Sequence, residues 1–378
     1  MKIDYGRKIR RVVVKVGTST LTHSDGQINI ESMERVVRGL SDLHNQGYQV
    51  VLVSSGAVGA GMGRVRMKKR PATLPEKQAV AAIGQVTLMH RYEKCFREYD
   101  KVVAQVLLTR DDLASRKRNL NAKNTLMALL QMGVIPIINE NDTVAVDEIK
   151  MGDNDRLAAH VAALIDGDLL IILSDIDGLY TCNPAVYKDG VLVEKVERIT
   201  PEIEGYAGGE GSCMGTGGMQ TKIKAAKIGT AAGVFVVISN GANREVLSNV
   251  VRGDFTGTIF IPHNRRIHTK KKWLLLSSKT KGSIQVDEGA KEALLRDGKS
   301  LLAIGITGVE GAFAASDVVS IQDQEGAEIG RGITYYGADV LNRIKGMKKR
   351  DIEKLLGAEY EYETVIHRDN LSVVSIQE

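Results

Sequence analysis

The stretch best suited to chemistry is Gly215-Thr216-Gly217-Gly218-Met219-Gln220-Thr221-Lys222, a glycine-rich turn that opens a helix-compatible segment and sets a lysine one turn inside it. Glycines let backbone N–H groups close on an anion, a helix N-terminus adds partial positive charge, and the ammonium adds a full one. The combination describes a phosphate cradle. It is not a P-loop, because G-x-x-x-x-G-K-[ST] does not occur in the chain. A glycine-rich turn before a helix is also ordinary loop composition, so its weight depends on what stands upstream. There, five short clusters recur: Lys15-Val16-Gly17-Thr18-Ser19, Ser54-Ser55-Gly56-Ala57-Val58-Gly59-Ala60-Gly61, Asn139-Glu140-Asn141-Asp142, Gly152-Asp153-Asn154-Asp155 and Ser174-Asp175-Ile176-Asp177-Gly178-Leu179-Tyr180.

The elements that must carry these clusters follow from hydrophobic pattern. Val12 to Val16, Gln49 to Val53, Val102 to Leu108, Val134 to Ile138, Leu169 to Leu173 and Val234 to Ile238 read as buried strands. Between the first two, Met33, Val36, Val37, Leu40 and Leu43 repeat with helical period, and Gly47 supplies a stop. Asn121 to Gln131 and Arg156 to Ile165 read as further helices. Strand-helix alternation predicts an α/β fold, a mostly parallel sheet sandwiched by helices, and ligands in such sheets sit at the C-terminal ends of the strands. Each cluster has a plainer explanation taken singly. Lys15 can snorkel to solvent, Ser-Ser-Gly can be a turn, and Asp153 or Asn154 can cap a helix. All five fall where strands end, which argues for one site.

In this order and at these intervals, K-V-G-T-S, S-S-G-A, N-E-N-D, G-D-N-D, S-D-I-D-G-L-Y and G-T-G-G-M-x-T-K resemble the amino acid kinase family and, within it, the glutamate 5-kinase branch, over residues 8 to 262. From Lys281-Gly282-Ser283-Ile284-Gln285-Val286-Asp287 through Gly330-Arg331-Gly332 the chain resembles a PUA domain, a small β-rich module. The implied organisation is a catalytic domain over 1–262, a linker over 263–279 containing Trp273, a PUA domain over 280–358 and a tail over 359–378. A catalytic domain of that size can bury its own core and fold independently. Two positions depart from the pattern: Ser316-Asp317 stands where PUA sequences usually have Gly-Asp, and Asn183-Pro184-Ala185 lacks an arginine often found after that proline.

The resemblance implies ATP-dependent phosphorylation of the γ-carboxylate of L-glutamate, the first step of proline biosynthesis, with proline as feedback inhibitor and a homo-oligomeric assembly. By the same resemblance Lys15 and Lys222 contact the transferring phosphoryl group from opposite sides and Asp155 holds both ammonium groups. Ser55, Asp142 and Asn154 bind glutamate, the carboxylate answering the substrate α-ammonium. Ser174, Asp175 and the turn Thr216, Gly217, Gly218, Met219, Gln220, Thr221 and Lys222 lie with Lys15 on the ATP side. Mg²⁺ arrives on the nucleotide phosphates, with no metal ligands from protein side chains. Elementary chemistry agrees. Phosphoryl transfer depends on positioning and on neutralising spread negative charge, and a carboxylate acceptor is already ionised at neutral pH and needs no general base. The seven histidines fall outside the five clusters.

Alternatives are another amino acid kinase acting on aspartate, N-acetylglutamate or carbamate, and an RNA-binding protein working through the PUA domain. The N-E-N-D motif and the PUA appendage speak against the first. Against the second, His263 to Glu378 carries 18 basic and 17 acidic residues, and aromatic residues make up only 4% of the chain, leaving little surface for base stacking. The run Arg64-Val65-Arg66-Met67-Lys68-Lys69-Arg70 reads either as a solvated loop or as a flap that draws anionic substrates. Cys95, Cys182 and Cys213 are odd in number and widely spaced, fitting neither a disulfide framework nor a zinc site. With no apolar run of membrane-spanning length and no signal-peptide pattern in Met1 to Arg11, a cytoplasmic protein without membrane partners is expected.

Overall fold

A computed structural model describes residues 1–23, 27–67, 69–144, 154–182, 184, 189–207, 218–262, 274, 280–357 and 364–373, the backbone alone at 116 and 356. Uninterrupted Val, Ile and Leu runs suit strands covered on both faces, and they form β1 (Arg11–Val16), β2 (Gln49–Ser54), β3 (Val103–Leu108), β4 (Ile135–Glu140), β5 (Leu169–Ser174), β6 (Lys195–Val196), β7 (Phe235–Asn240) and β8 (Thr258–Phe260). Among the described residues these make one sheet in the order β3-β4-β2-β1-β5-β7-β8-β6. Every neighbouring pair is parallel except β7 with β8.

The order fixes where a ligand can enter. From β1 the chain passes to β2 on one side, and it later returns from β4 to β5 on the other, so connections diverge around β1. At such a switch point the crevice beyond the strand C-termini is open. Val16 lies in register with Ser54 of β2 and Leu173 of β5, so three of the polar clusters begin at one level.

Helices α1 (Thr18–Leu21), α2 (Ile30–Asn45), α3 (Ala57–Arg64), α4 (Leu74–Arg97), α5 (Arg110–Ala114), α6 (Arg116–Gln131), α7 (Asn154–Leu164), α8 (Pro201–Gly205), α9 (Met219–Ala231) and α10 (Val246–Arg252) complete the unit. On one face of β1, Val12, Val14 and Val16 pack with Met33, Val36, Val37 and Leu40 of α2, Leu88, Tyr92 and Phe96 of α4, and Val246, Leu247 and Val250 of α10. Strand alternation turns Val13 and Lys15 to the other face, where α7 lies against β1 and packs on α9. The expected stop at Gly47 is present, with φ +86°. Helix α4 was not foreseen from periodicity, although Thr73, Pro75 and Glu76 form a capping box with proline in its first turn. Among the described residues no helix is long and apolar enough to cross a membrane.

The chain divides into two compact units, the larger made of Met1–Leu113 and Lys117–Arg266, the smaller containing Ile267–Glu378. The smaller unit contains a five-stranded sheet of β9 (Gly282–Val286), β10 (Ile306–Gly311), β11 (Val318–Gln322), β12 (Glu328–Ile333) and β13 (Leu371–Val373), ordered β10-β9-β11-β12-β13. Its core gathers Ile284, Val286, Val319, Ile321 and Ile329 with Leu341 and Ile344 of a helix over Ala338–Ile344. Ser316, at the expected departure from Gly-Asp, has φ +72°. A left-handed backbone is what glycine adopts without cost, so serine carries strain of about 1 kcal/mol there. Asp317 offsets it by accepting from Ala314 N at 2.9 Å and closing the turn. The linker over 263–279, with Trp273, lies outside the described residues apart from Leu274.

Candidate active site

Three charged side chains meet beneath the strand C-termini. Lys15 Nζ stands 2.6 Å from Asp155 Oδ1, and Lys222 Nζ 3.4 Å from Asp155 Oδ2. All three are buried, at 5%, 0% and 7% exposure. Asp155 sits in the first turn of α7, where a helix N-terminus favours negative charge; Lys222 occupies the start of α9, where the same field opposes it. A buried lysine at a helix N-terminus breaks a local rule, and such breaks mark function. Thr221 Oγ1 donates to Asp155 Oδ2 at 2.8 Å. Burial pushes the Asp155 carboxyl upward, but Lys15, Lys222 and the Thr221 hydroxyl together outweigh it and hold the group below its ordinary pKa. Burial lowers the Lys15 pKa, and Lys222 adds to that, against an opposing pull from Asp155. Two ammonium groups share the Asp155 carboxylate, and the Asp175 carboxylate also acts electrostatically on Lys15. A Cβ on Gly17 would stand 3.3 Å from Lys15 Nζ, so glycine keeps the approach to that ammonium open.

Beside this lies a corner of amides and hydroxyls. Asn154 Nδ2 donates to Ser55 Oγ at 2.9 Å, to Asn139 Oδ1 at 3.0 Å and to the Ser54 carbonyl at 3.1 Å. Asn139 Nδ2 donates to Gln85 Oε1 of α4 at 2.8 Å, and Ser54 Oγ lies 2.9 Å from the Tyr92 hydroxyl. Gly56 has φ +101° and turns the chain from β2 into α3, leaving Ser55 at the mouth. Asp142 lies at the end of the same strand β4 that carries Asn139. Burial raises its pKa to about 6, and no donor among the described residues reaches its carboxylate.

On the far side of β1, Ser174 Oγ donates to the exposed Asp175 at 3.1 Å. Asn240 Nδ2 and the Tyr180 hydroxyl both donate to Asp177, at 3.0 and 3.2 Å. Gly218 caps α9, with Met219 and Gln220 beginning the helix. Thr216 and Gly217 lie outside the described residues, as do Gly152 and Asp153. The structure therefore brings together Lys15, Asp155, Thr221 and Lys222 as one group, and Ser55 and Asn154 as another. Asn139, Gln85 and Tyr92 were given no role from sequence. Asn139 belongs to the N-E-N-D motif, but Gln85 and Tyr92 ride on a helix that the hydrophobic pattern did not reveal. Lys15, Asp155, Thr221 and Lys222 thus form one cluster at the strand ends, and Ser55, Asn154, Asn139 and Gln85 a second. Comparison with known proteins bears on their chemistry.

Residues 10–240 match the amino acid kinase family and residues 282–356 the PUA domain. A glutamate 5-kinase of Moorella thermoacetica is 54% identical over 365 residues, covering 97% of this chain and 96% of the relative. The chain belongs to the amino acid kinase family, among the glutamate 5-kinases. A second glutamate 5-kinase, from Caldanaerobacter subterraneus subsp. tengcongensis, is 52% identical over 364 residues, covering 96% of this chain and 98% of the relative. For a glutamate 5-kinase the observed donor set also bears on metal binding. Among the described residues no three His, Cys, Asp or Glu side chains converge to hold an ion. His160, on α7, is pushed down to about 4 by burial, with Arg156 and Arg110 adding to the shift, so it is neutral at physiological pH.

Proposed function

We propose that the protein transfers the γ-phosphoryl group of ATP to the γ-carboxylate of L-glutamate, with Lys15 and Lys222 acting on the transferring group and Asp142, Asn154 and Ser55 binding the acceptor. The observation that carries the reading is the pair of buried ammonium groups on the single carboxylate of Asp155, at the C-terminal ends of parallel strands. As the phosphoryl group moves between two oxygens, charge spreads over its equatorial oxygens, and fixed ammonium groups in a buried site stabilise it without reorganising. Asp155 keeps both lysines aimed. The acceptor carboxylate attacks as an anion and needs no general base.

Ser174, Asp175 and the residues from Thr216 to Lys222 are assigned to the nucleotide. Magnesium bound to the nucleotide phosphates would supply further charge neutralisation, with no protein side chain assigned to hold it. An acceptor ammonium would supply a partner that Asp142 does not find among the described residues. N-acetylglutamate has no ammonium to offer, and aspartate is one methylene short. Residues 1–262 are assigned the reaction, with family membership alone supporting proline as feedback inhibitor, a homo-oligomeric assembly and a cytoplasmic location.

The test is ADP release with a panel of acidic acceptors and hydroxylamine present to trap an acyl phosphate. Release that requires L-glutamate and magnesium and yields a hydroxamate is expected. Preference for N-acetylglutamate, aspartate or carbamate would contradict the reading.

A further inference from the structure

Helix α4 reaches the acceptor corner twice from one face. Gln85 meets Asn139 and Tyr92 meets Ser54, seven residues apart and so on the same side of the helix. The helix is also immobilised at this level. Gly84 lies so close to α3 that a Cβ there would collide with the Ala57 carbonyl, and a Cβ on Gly61 would collide with that of Val80. Gln85 is therefore held on a rigid element, next to the tightest helix crossing in the site.

Two backbone groups reveal which way the amides in this corner point. The Glu140 N–H can only donate, and it reaches one end of the Asn139 amide at 2.9 Å, so that end is the oxygen. The other end is then NH₂, and the Gln85 atom it meets must be an acceptor. Likewise the Ser54 carbonyl can only accept, and it faces Asn154 at 3.1 Å, so that end of Asn154 is NH₂. The same NH₂ meets Asn139 Oδ1 and Ser55 Oγ, its two hydrogens serving three oxygens. Donation thus runs from Asn154 to Asn139 to Gln85. Asn139 is 3% exposed, so water does not substitute for a missing partner.

We propose that Gln85 is a positioning residue that, through Asn139, locks the Asn154 amide with its NH₂ inward, leaving Asn154 Oδ1 to accept from the acceptor's ammonium and the Ser55 hydroxyl hydrogen to donate to a carboxylate. Because Ser55 Oγ already accepts from Asn154, its own hydrogen is free to be given away. The acceptor is then read in one orientation, ammonium to Asn154 and Asp142, carboxylate to Ser55. This inference rests on the proposed glutamate site.

Gln85→Met keeps the length of the side chain and removes the acceptor. It is expected to raise KM for glutamate about tenfold, the effect of one lost hydrogen bond, with KM for ATP unchanged and kcat within about threefold. In an Asn154→Ala background the same substitution should add no further rise, since Gln85 acts through Asn154. An unchanged glutamate KM, or an equal rise in both backgrounds, would overturn the proposal. A second readout needs neither turnover nor the variant's folding: the side-chain amide hydrogens of Asn139 and Asn154 in the wild-type protein should be protected from exchange with solvent. Fast exchange at Asn139 would overturn the relay. If wild-type protein fails to phosphorylate glutamate while Asn139 stays protected, the substrate assignment fails and the Gln85 relay stands.

Discussion

The two corners of the crevice are built on opposite principles. Around Asp155, charge is crowded: two ammonium groups and a hydroxyl converge on a carboxylate with no exposed surface. At Asp142 a half-buried carboxylate meets no cationic partner among the described residues, and desolvation raises its pKa to about 6. The first corner gathers cations around a carboxylate, and the second sets a carboxylate apart from the described cations. Each suits the charge that its proposed ligand brings, phosphoryl oxygens to one and an ammonium to the other. The difference teaches that, under the proposed assignment, the ordering of charge along one sheet edge keeps two anionic substrates in separate places.

Removing the keystone of the crowded corner should have the largest effect. Asp155→Asn leaves Lys15 and Lys222 buried as like charges, and breaking a buried ionic group this way costs about 3–5 kcal/mol. Urea unfolding should show that loss, together with a fall in kcat of at least about 10² in whatever protein remains folded. Wild-type stability with reduced activity would mean that the triad is functional without being a structural charge cluster, and the contrast between corners would weaken.

The Asp142 corner should respond to pH. Because its folded pKa lies above the ordinary 3.8, at about 6, the carboxyl is favoured in its protonated form, and the acceptor-free protein loses stability as pH rises from about 4 through about 6. Pairing with an ammonium needs the ionised form. KM for glutamate should therefore rise as pH falls below about 6, approaching tenfold per unit, in a range where glutamate's own carboxylates stay ionised down to about 4.3. In Asp142→Asn that slope should vanish, and its melting temperature above pH 6 should exceed that of the wild type. A pH-independent KM would mean that Asp142 does not face the ammonium.

Much of this crevice was legible beforehand because strand-end clusters in an α/β pattern must share an edge. Lys15 could be placed once Val12 to Val16 read as a strand, and Lys222 once Gly218 read as a helix start. The partners of those residues were less legible. Asp155 lies far from both lysines in sequence, and its contact with them follows from α7 packing on α9 and β1, which no local pattern specifies. Helix α4 was missed because its buried positions, Val80, Ala81, Gly84, Leu88, Tyr92 and Phe96, are interleaved with exposed Ile83 and Val86, which blurs the period. Without α4, neither Gln85 nor Tyr92 could be joined to the loops they support. The antiparallel β8 is three residues long, too short for periodicity to detect.

The division of labour between the corners is tested most directly by measuring kcat and KM for both substrates in Lys222→Ala and Asp142→Asn side by side. Lys222→Ala should lower kcat by about 10² to 10³ with KM for glutamate nearly unchanged, as for loss of a group that acts in the transition state. Asp142→Asn should raise KM for glutamate at least about tenfold with kcat within about threefold, as for loss of an ammonium partner. The reverse pattern, or unchanged kinetics in both, would contradict the assignment of phosphoryl transfer to one corner and acceptor binding to the other.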